Sequence, residues 1–176
     1  NHETKASNAH RNFGYHDDSF AWATLHTGKM SDDWFYMTAL MTAGAEAEAK
    51  WKSCPIGGEI RPEAWGKVFD PIPGLKAIQD FRTCVETTHV SWLMDSGMFG
   101  KKASAERIAR AGADVWRMGY EFHIPEVTIG RVMHGSLEVN LKLENRGVAP
   151  FYYDWKPEYQ LLAKGKPVRT SPGSGK

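Results

Sequence analysis

The sequence predicts an α/β fold followed by an all-β segment: the last three βα units of a partial (β/α) barrel joined to an antiparallel β-sandwich segment. Short apolar strands alternate with amphipathic helices up to about residue 118, which is typical of parallel βαβ units. After Gly119 the hydrophobic period changes to two, as in half-buried antiparallel strands. The predicted divisions are residues 1–119 for the barrel part, 120–168 for the sandwich segment and 169–176 for a flexible tail.

Three short strands are predicted in the barrel part, at residues 12–15, 54–59 and 89–93. Polar residues stand at their ends, and in chain order these are His16, Asp17, Asp18, Glu59 and His89. Ligands bind at the carboxyl ends of the strands in parallel α/β folds. We therefore expect Asp18, Glu59 and His89 to converge on one cleft.

Three amphipathic helices are predicted around these strands. The first begins at residues 31–33 and extends to Trp51, with Gly44 as its weakest position. Residues 75–85 and 104–118 carry apolar side chains at helical spacing. A closed barrel needs about eight βα units. The three predicted units could instead form a small open sheet, which would leave an unprotected edge without a partner. We therefore expect the remaining units to come from an N-terminal barrel half that this chain lacks, or from another chain.

The second part of the chain shows a strict alternation of apolar and polar residues. Leucine and valine alternate with charged or amide side chains over residues 137–144, and residues 145–147 form a predicted turn. Further strands are predicted at residues 151–153 and 159–162. This pattern favours antiparallel pairing in the sandwich segment.

The composition excludes several classes of partner. The chain has 22 Lys and Arg against 21 Asp and Glu, without a basic stripe, so no nucleic-acid partner is predicted. No apolar run has the length of a membrane span. Cys54 and Cys84 do not form a CxxC pair, so neither a metal site nor a cofactor is predicted. Aromatic residues make up 12% of the chain, which is compatible with sugar stacking as well as with core packing.

Glu59 and Asp18 are the candidate catalytic carboxylates. Cleavage of a glycosidic bond needs one carboxyl group to protonate the leaving oxygen and another to attack or to activate water. Gly57 and Gly58 precede Glu59 and would let a ligand approach the backbone closely. A structural role is an open alternative, in which an aspartate caps a loop and Glu59 pairs with a nearby arginine, Arg61 or Arg82.

Two further sites are weighed against this carboxylate pair. His89, Ser91 and Asp95 suggest a hydrolase triad, but the chain contains no GxSxG elbow. A metal site built from His16, Asp18 and His89 would require a convergence that the sequence does not show, and histidines are usually hydrogen-bonded rather than metal-bound.

Five segments, in the same order, resemble segments of the DUF4832 family. They are FGYHDDSF at residues 13–20, GGE at 57–59, HVSWL at 89–93, MGYEF at 118–122 and LKLENRGVAP at 141–150. Three positions differ from the family pattern: Asp17 stands where Asn is usual, Ser19 where Cys is usual, and Glu121 where Arg is usual.

The resemblance implies a glycosidase-like barrel and a β-sandwich in a secreted or cell-surface protein that acts on carbohydrate. Glu59 would then be one catalytic carboxylate in the acid/base cleavage of a glycosidic bond, and Asp18 would be the second or a group that orients the substrate. The expected sugar contacts are His16, Asp17, His89 and Trp92. One alternative is a non-catalytic carbohydrate-binding or surface-interaction module that uses the same aromatic residues. Another is a structural segment whose cleft no longer has a function.

Overall fold

The computed structural model describes residues 9–71, 74–97 and 103–173. The helices are α1 (Tyr36–Ala43), α2 (Ala45–Glu48), α3 (Phe81–Thr88) and α4 (Ala105–Val115). The strands are β1 (His16–Asp17), β2 (Ile56–Glu59), β3 (Val90–Met94), β4 (Phe122–Met133), β5 (Ser136–Asn145), β6 (Glu158–Ala163) and β7 (Lys166–Pro172).

The first three strands form a small parallel sheet in the order β1-β2-β3. His16 is aligned with Gly57, and Gly57 with Trp92, while Glu59 at the end of β2 is aligned with Met94. Because side chains alternate along a strand, these residues share one face of the sheet. We call it the open face, since Trp92 and Met94 on it are exposed.

The opposite face of the sheet covers the core. A buried cluster there contains Phe20, Ile60, Phe81, Val85 and Val90. In α3 the residues Phe81, Cys84 and Val85 are all buried, because spacings of three and four place them on one side of the helix.

Side-chain caps fix the starts of α3 and α4. The Asp80 carboxylate accepts a hydrogen bond of 2.7 Å from the Thr83 amide, and the Ser104 hydroxyl accepts one of 3.1 Å from the Arg107 amide. Each cap satisfies an amide that has no partner within its helix. The Arg107 guanidinium also binds the Asp70 carboxylate with two hydrogen bonds, of 2.6 and 2.8 Å, and so holds α4 to the segment between β2 and α3.

The predicted first helix is broken at Gly44. This glycine has φ 100° and ψ 178°, so the helix ends at Ala43 and α2 starts in a new direction. Lys50, which follows α2, is only 3% exposed. Its ammonium donates hydrogen bonds to the carbonyls of Ala9 and Arg11 and so anchors the segment before β1.

Two antiparallel hairpins follow Gly119. Strands β4 and β5 pair with each other, and so do β6 and β7. Each pair is joined by two residues with positive φ, His134-Gly135 and Lys164-Gly165, as type I′ hairpin turns require. On β4 and β5 an aliphatic face, which includes Val127 and Ile129, is exposed.

The predicted partial barrel and β-sandwich are wrong. The structure is a small mixed α/β protein whose described residues form three separate sheets, one of three parallel strands and two of two antiparallel strands. The parallel strands are only two, four and five residues long, and a barrel closes with about eight tilted strands. The two hairpins do not share a sheet.

Several predicted elements are displaced or absent. The strand expected at residues 12–15 is instead His16–Asp17, and residues 151–153 are not a strand. The helix expected from residue 75 begins at Phe81, after its Asp80 cap. Leu137 is exposed rather than covered by a second layer. None of the helices in the described ranges is long and apolar enough to cross a membrane.

Candidate functional site

The open face of the parallel sheet brings His16 and Trp92 together. Their ring centroids lie 5.7 Å apart with the planes tilted by 46°, and Trp92 is 48% exposed. The indole lies directly over Gly57, where an added Cβ would stand 1.9 Å from Trp92 Cε2. The glycine is therefore required for this close approach, and it leaves the outer part of the indole open to a ligand.

Glu59 and Asp18 stand at the carboxyl ends of neighbouring strands. Glu59 is partly exposed at the end of β2, and Asp18 is exposed directly after β1. Neither carboxylate has a hydrogen bond or ion pair to another residue in the described part of the chain. The two arginines considered as structural partners bind elsewhere, Arg61 to Glu63 and Arg82 to Asp114. Both carboxylates are thus accessible to a ligand.

Asp17 does not reach the open face. It is 3% exposed, and its carboxylate accepts hydrogen bonds from the Ser19 amide at 3.0 Å and the Thr24 hydroxyl at 2.6 Å. Burial raises the pKa of Asp17 to about 6, although these hydrogen bonds act to lower it. Asp17 supports the loop after β1 from beneath, and the structure does not place it as a sugar contact.

His89 lies at the other end of the sheet from Glu59. It ends α3 with φ 54° and immediately precedes β3. Its ring stacks on Trp51 with centroids 3.5 Å apart and planes 12° apart. Nδ1 is 2.6 Å from the Val148 carbonyl oxygen and, since a carbonyl only accepts, must donate the hydrogen bond. The expected convergence of Asp18, Glu59 and His89 is not formed.

The competing sites are not assembled either. The Asp95 carboxylate accepts hydrogen bonds from the amides of Gly66, at 2.9 Å, and Gly97, at 2.6 Å, while His89 faces a carbonyl, so the triad is not formed. Within residues 9–71, 74–97 and 103–173, no group of three or more His, Cys, Asp and Glu side chains could hold a metal ion. Cys54 and Cys84 are buried free thiols.

Met94 belongs to the open face, and the sequence interpretation missed it. It stands two residues after Trp92 and is aligned with Glu59 across the sheet. The period-two alternation from Trp92 contained the signal that would have placed it. With Met94, the open face combines a tryptophan, a histidine and a thioether beside two carboxylates.

Comparisons of the chain with protein-family models, with curated proteins and with solved structures find no match. The likeness to the DUF4832 family therefore depends on the five segments alone and stays a prediction.

Proposed function

We propose that the protein is carbohydrate-active, that sugar binds on the open face, and that Glu59 and Asp18 cleave a glycosidic bond there by acid/base catalysis. The observation that supports this most directly is the half-exposed Trp92 indole beside His16. A pyranose ring presents a face of C–H bonds that packs against the electron-rich face of an indole. The imidazole beside it offers a hydrogen-bonding group for the sugar hydroxyls.

Cleavage requires the two carboxylates to divide two roles. One protonates the leaving oxygen while the other attacks the anomeric carbon or activates water. Glu59 is the stronger candidate for an essential group, since it shares the open face with Trp92 while Asp18 lies in the turn after β1. Both carboxylates are free of protein partners in the described residues, which leaves their oxygens available to substrate.

The experiment is hydrolysis of a panel of aryl glycosides by the wild type and by Glu59→Gln. The substitution keeps the size of the side chain and replaces its carboxyl group by an amide. We expect turnover to fall at least about a hundredfold, the usual scale for a general acid. Glu46→Gln, an exposed glutamate on α2, is the matched control and should leave turnover unchanged. Equal turnover in wild type and Glu59→Gln would contradict catalysis by Glu59.

A second candidate function is carbohydrate binding without cleavage. It is favoured by the same absence of partners, because no described side chain holds either carboxylate in position and catalytic groups need such support. This candidate predicts no turnover and little loss of sugar affinity in Glu59→Gln. It predicts a large loss in Trp92→Ala, which isothermal titration with oligosaccharides would measure.

A further inference from the structure

A second group of aromatic side chains, four of them exposed and Phe151 partly buried, lies outside the open face. It consists of Tyr120, Phe122, Phe151, Tyr153 and Trp155, and we call it the aromatic patch. Phe151 is the centre of the patch, and its ring contacts all four others at centroid distances between 4.8 and 5.4 Å. Tyr153 is 58% exposed and Trp155 is 72% exposed. Burial in a core therefore does not explain these rings.

The segment that bears Phe151, Tyr153 and Trp155 is anchored at both ends. At its start the Asn145 side-chain amide donates a hydrogen bond of 2.7 Å to the Ala149 carbonyl. At its end the Gly173 amide donates one of 2.7 Å to the Pro157 carbonyl.

A third anchor lies in the middle of the segment. The Tyr152 hydroxyl donates a hydrogen bond of 2.7 Å to the Trp51 carbonyl. Tyr152 is thus held toward the body of the protein while Tyr153 and Trp155, on either side of Asp154, stay exposed. The patch is therefore ordered before a ligand arrives, which lowers the entropy lost on binding.

The geometry points to a platform rather than a slot. A flat group held between two rings needs them about 7 Å apart, twice the usual carbon–carbon contact distance. The Tyr153 and Trp155 centroids are 5.4 Å apart with planes only 24° apart, and the Phe151 ring lies against both. Tyr153 and Trp155 are stacked on each other and leave no space between them for a proline ring or a quaternary ammonium group, so a ligand must stack on the outward faces of the pair.

We propose that the aromatic patch is a second carbohydrate-binding surface, which takes a polysaccharide chain by stacking sugar rings on Tyr153 and Trp155. The choice of ligand follows from the chemistry of the patch. It consists of aromatic rings, two with phenol hydroxyls and one with an indole N–H, whereas the exposed face of β4 and β5 is aliphatic. Aromatic faces suit the C–H face of a sugar, and the polar atoms at the ring edges suit its hydroxyls.

This inference rests on the proposed function for the class of ligand, but it concerns different residues. Polysaccharide bound at the patch would add to the affinity of the open face, because the second contact is made by a chain that is already tethered. Short substrates that occupy the open face alone would not depend on the patch.

The test is affinity electrophoresis of the 176-residue chain through gels that contain xylan, mannan, β-glucan or starch, together with sedimentation on cellulose and chitin. The variants are Tyr153→Ala with Trp155→Ala as a double substitution, and Trp92→Ala for the open face. Trp34→Ala removes an indole outside both surfaces that is 48% exposed, as Trp92 is, and is the control. Far-UV circular dichroism and urea midpoints establish that each variant is folded.

We expect at least one polysaccharide to retard the wild type, and the double variant to bind it at least about tenfold more weakly. Hydrolysis of aryl glycosides should be unchanged in the double variant. If the folded double variant is retarded as strongly as the wild type, the aromatic patch does not bind polysaccharide, and the proposed function of the open face is unaffected. If the wild type hydrolyses no aryl glycoside while the double variant still loses retardation, the proposed cleavage is wrong and polysaccharide binding at the aromatic patch is supported. If the wild type binds a proline-rich peptide and none of these polysaccharides retards it, the proposal that the aromatic patch binds polysaccharide is also wrong.

Discussion

Replacing the buried Asp17 by Asn tests the role of this carboxylate beneath the sheet. It accepts hydrogen bonds from Ser19 and Thr24, yet burial raises its pKa from 3.8 to about 6. A group with a raised pKa binds protons more tightly in the folded chain than in the unfolded chain. The contribution of Asp17 to stability is therefore most favourable below the unfolded pKa of 3.8 and falls as the pH rises through about 6.

The magnitude follows from the two pKa values. The interval from 3.8 to about 6 corresponds to at most about 3 kcal/mol, since each unit of pKa is about 1.4 kcal/mol. Neighbouring Tyr36 and Cys84 do not ionise in this range, because burial raises the pKa of both groups. Asn keeps the shape of the side chain and one of its two acceptor oxygens, and it removes the titration. The loss of one hydrogen bond shifts the stability of the variant equally at every pH, so it does not alter the pH dependence.

The assay is urea unfolding of the wild type and Asp17→Asn at pH values between about 4 and 8, where the group changes charge. We expect the stability of Asp17→Asn relative to wild type to rise by up to about 3 kcal/mol across this range. Asp33→Asn, at an exposed position, is the control and should follow the wild type. If the free energy of unfolding depends on pH in the same way in Asp17→Asn and in wild type, the inference that ionisation of this buried carboxylate destabilises the fold is wrong.

Two further predictions concern packing and anchoring. Gly112→Ala in α4 should raise stability by about 0.5–1 kcal/mol, because its added Cβ meets no atom within 4 Å. Gly57→Ala should lower stability by about 1–3 kcal/mol, because its Cβ would stand 1.9 Å from the Trp92 indole. Equal urea midpoints for the Gly112→Ala and Gly57→Ala variants would contradict both expectations. Tyr152→Phe should lower stability by about 1 kcal/mol through loss of its 2.7 Å hydrogen bond to Trp51. Tyr159→Phe is the control, and equal loss in both phenylalanine variants would show that the anchor is unimportant.

Local sequence patterns predicted the elements that depend on local physics. The alternation at residues 137–144 falls within β5, and residues 159–162 fall within β6. Gly44 breaks the first helix, as its low helix propensity suggested. The predicted second strand ends at Glu59, as β2 does, and the roles of the polar residues at the strand ends stay a prediction. These outcomes depend on periodicity and backbone freedom over a few residues.

The parts that failed depend on contacts between distant residues. Asp17 alternates with His16 and so faces the core, where Thr24 supplies its partner. His89 is fixed by Trp51 and by the Val148 carbonyl, 59 positions away in the chain. The alternation at Asp17 becomes informative only once β1 is known to be His16–Asp17 rather than residues 12–15, and the partners of His89 leave no local pattern that a single sequence shows. The overall architecture failed for the same reason, since the way in which sheets close or pack is decided by long-range pairing.

The buried Lys50 supplies a chemical reporter of opening. Its ammonium is enclosed by the backbone before β1 and lies 5.7 Å from the Phe13 ring and 5.8 Å from the Tyr15 ring. An amine-acylating reagent can reach this nitrogen only when that segment detaches, whereas exposed Lys52 reacts at once. The ratio of acylation at these two lysines, measured by peptide mass spectrometry, therefore reports how often the segment before β1 detaches from the turn after α2 in the native protein.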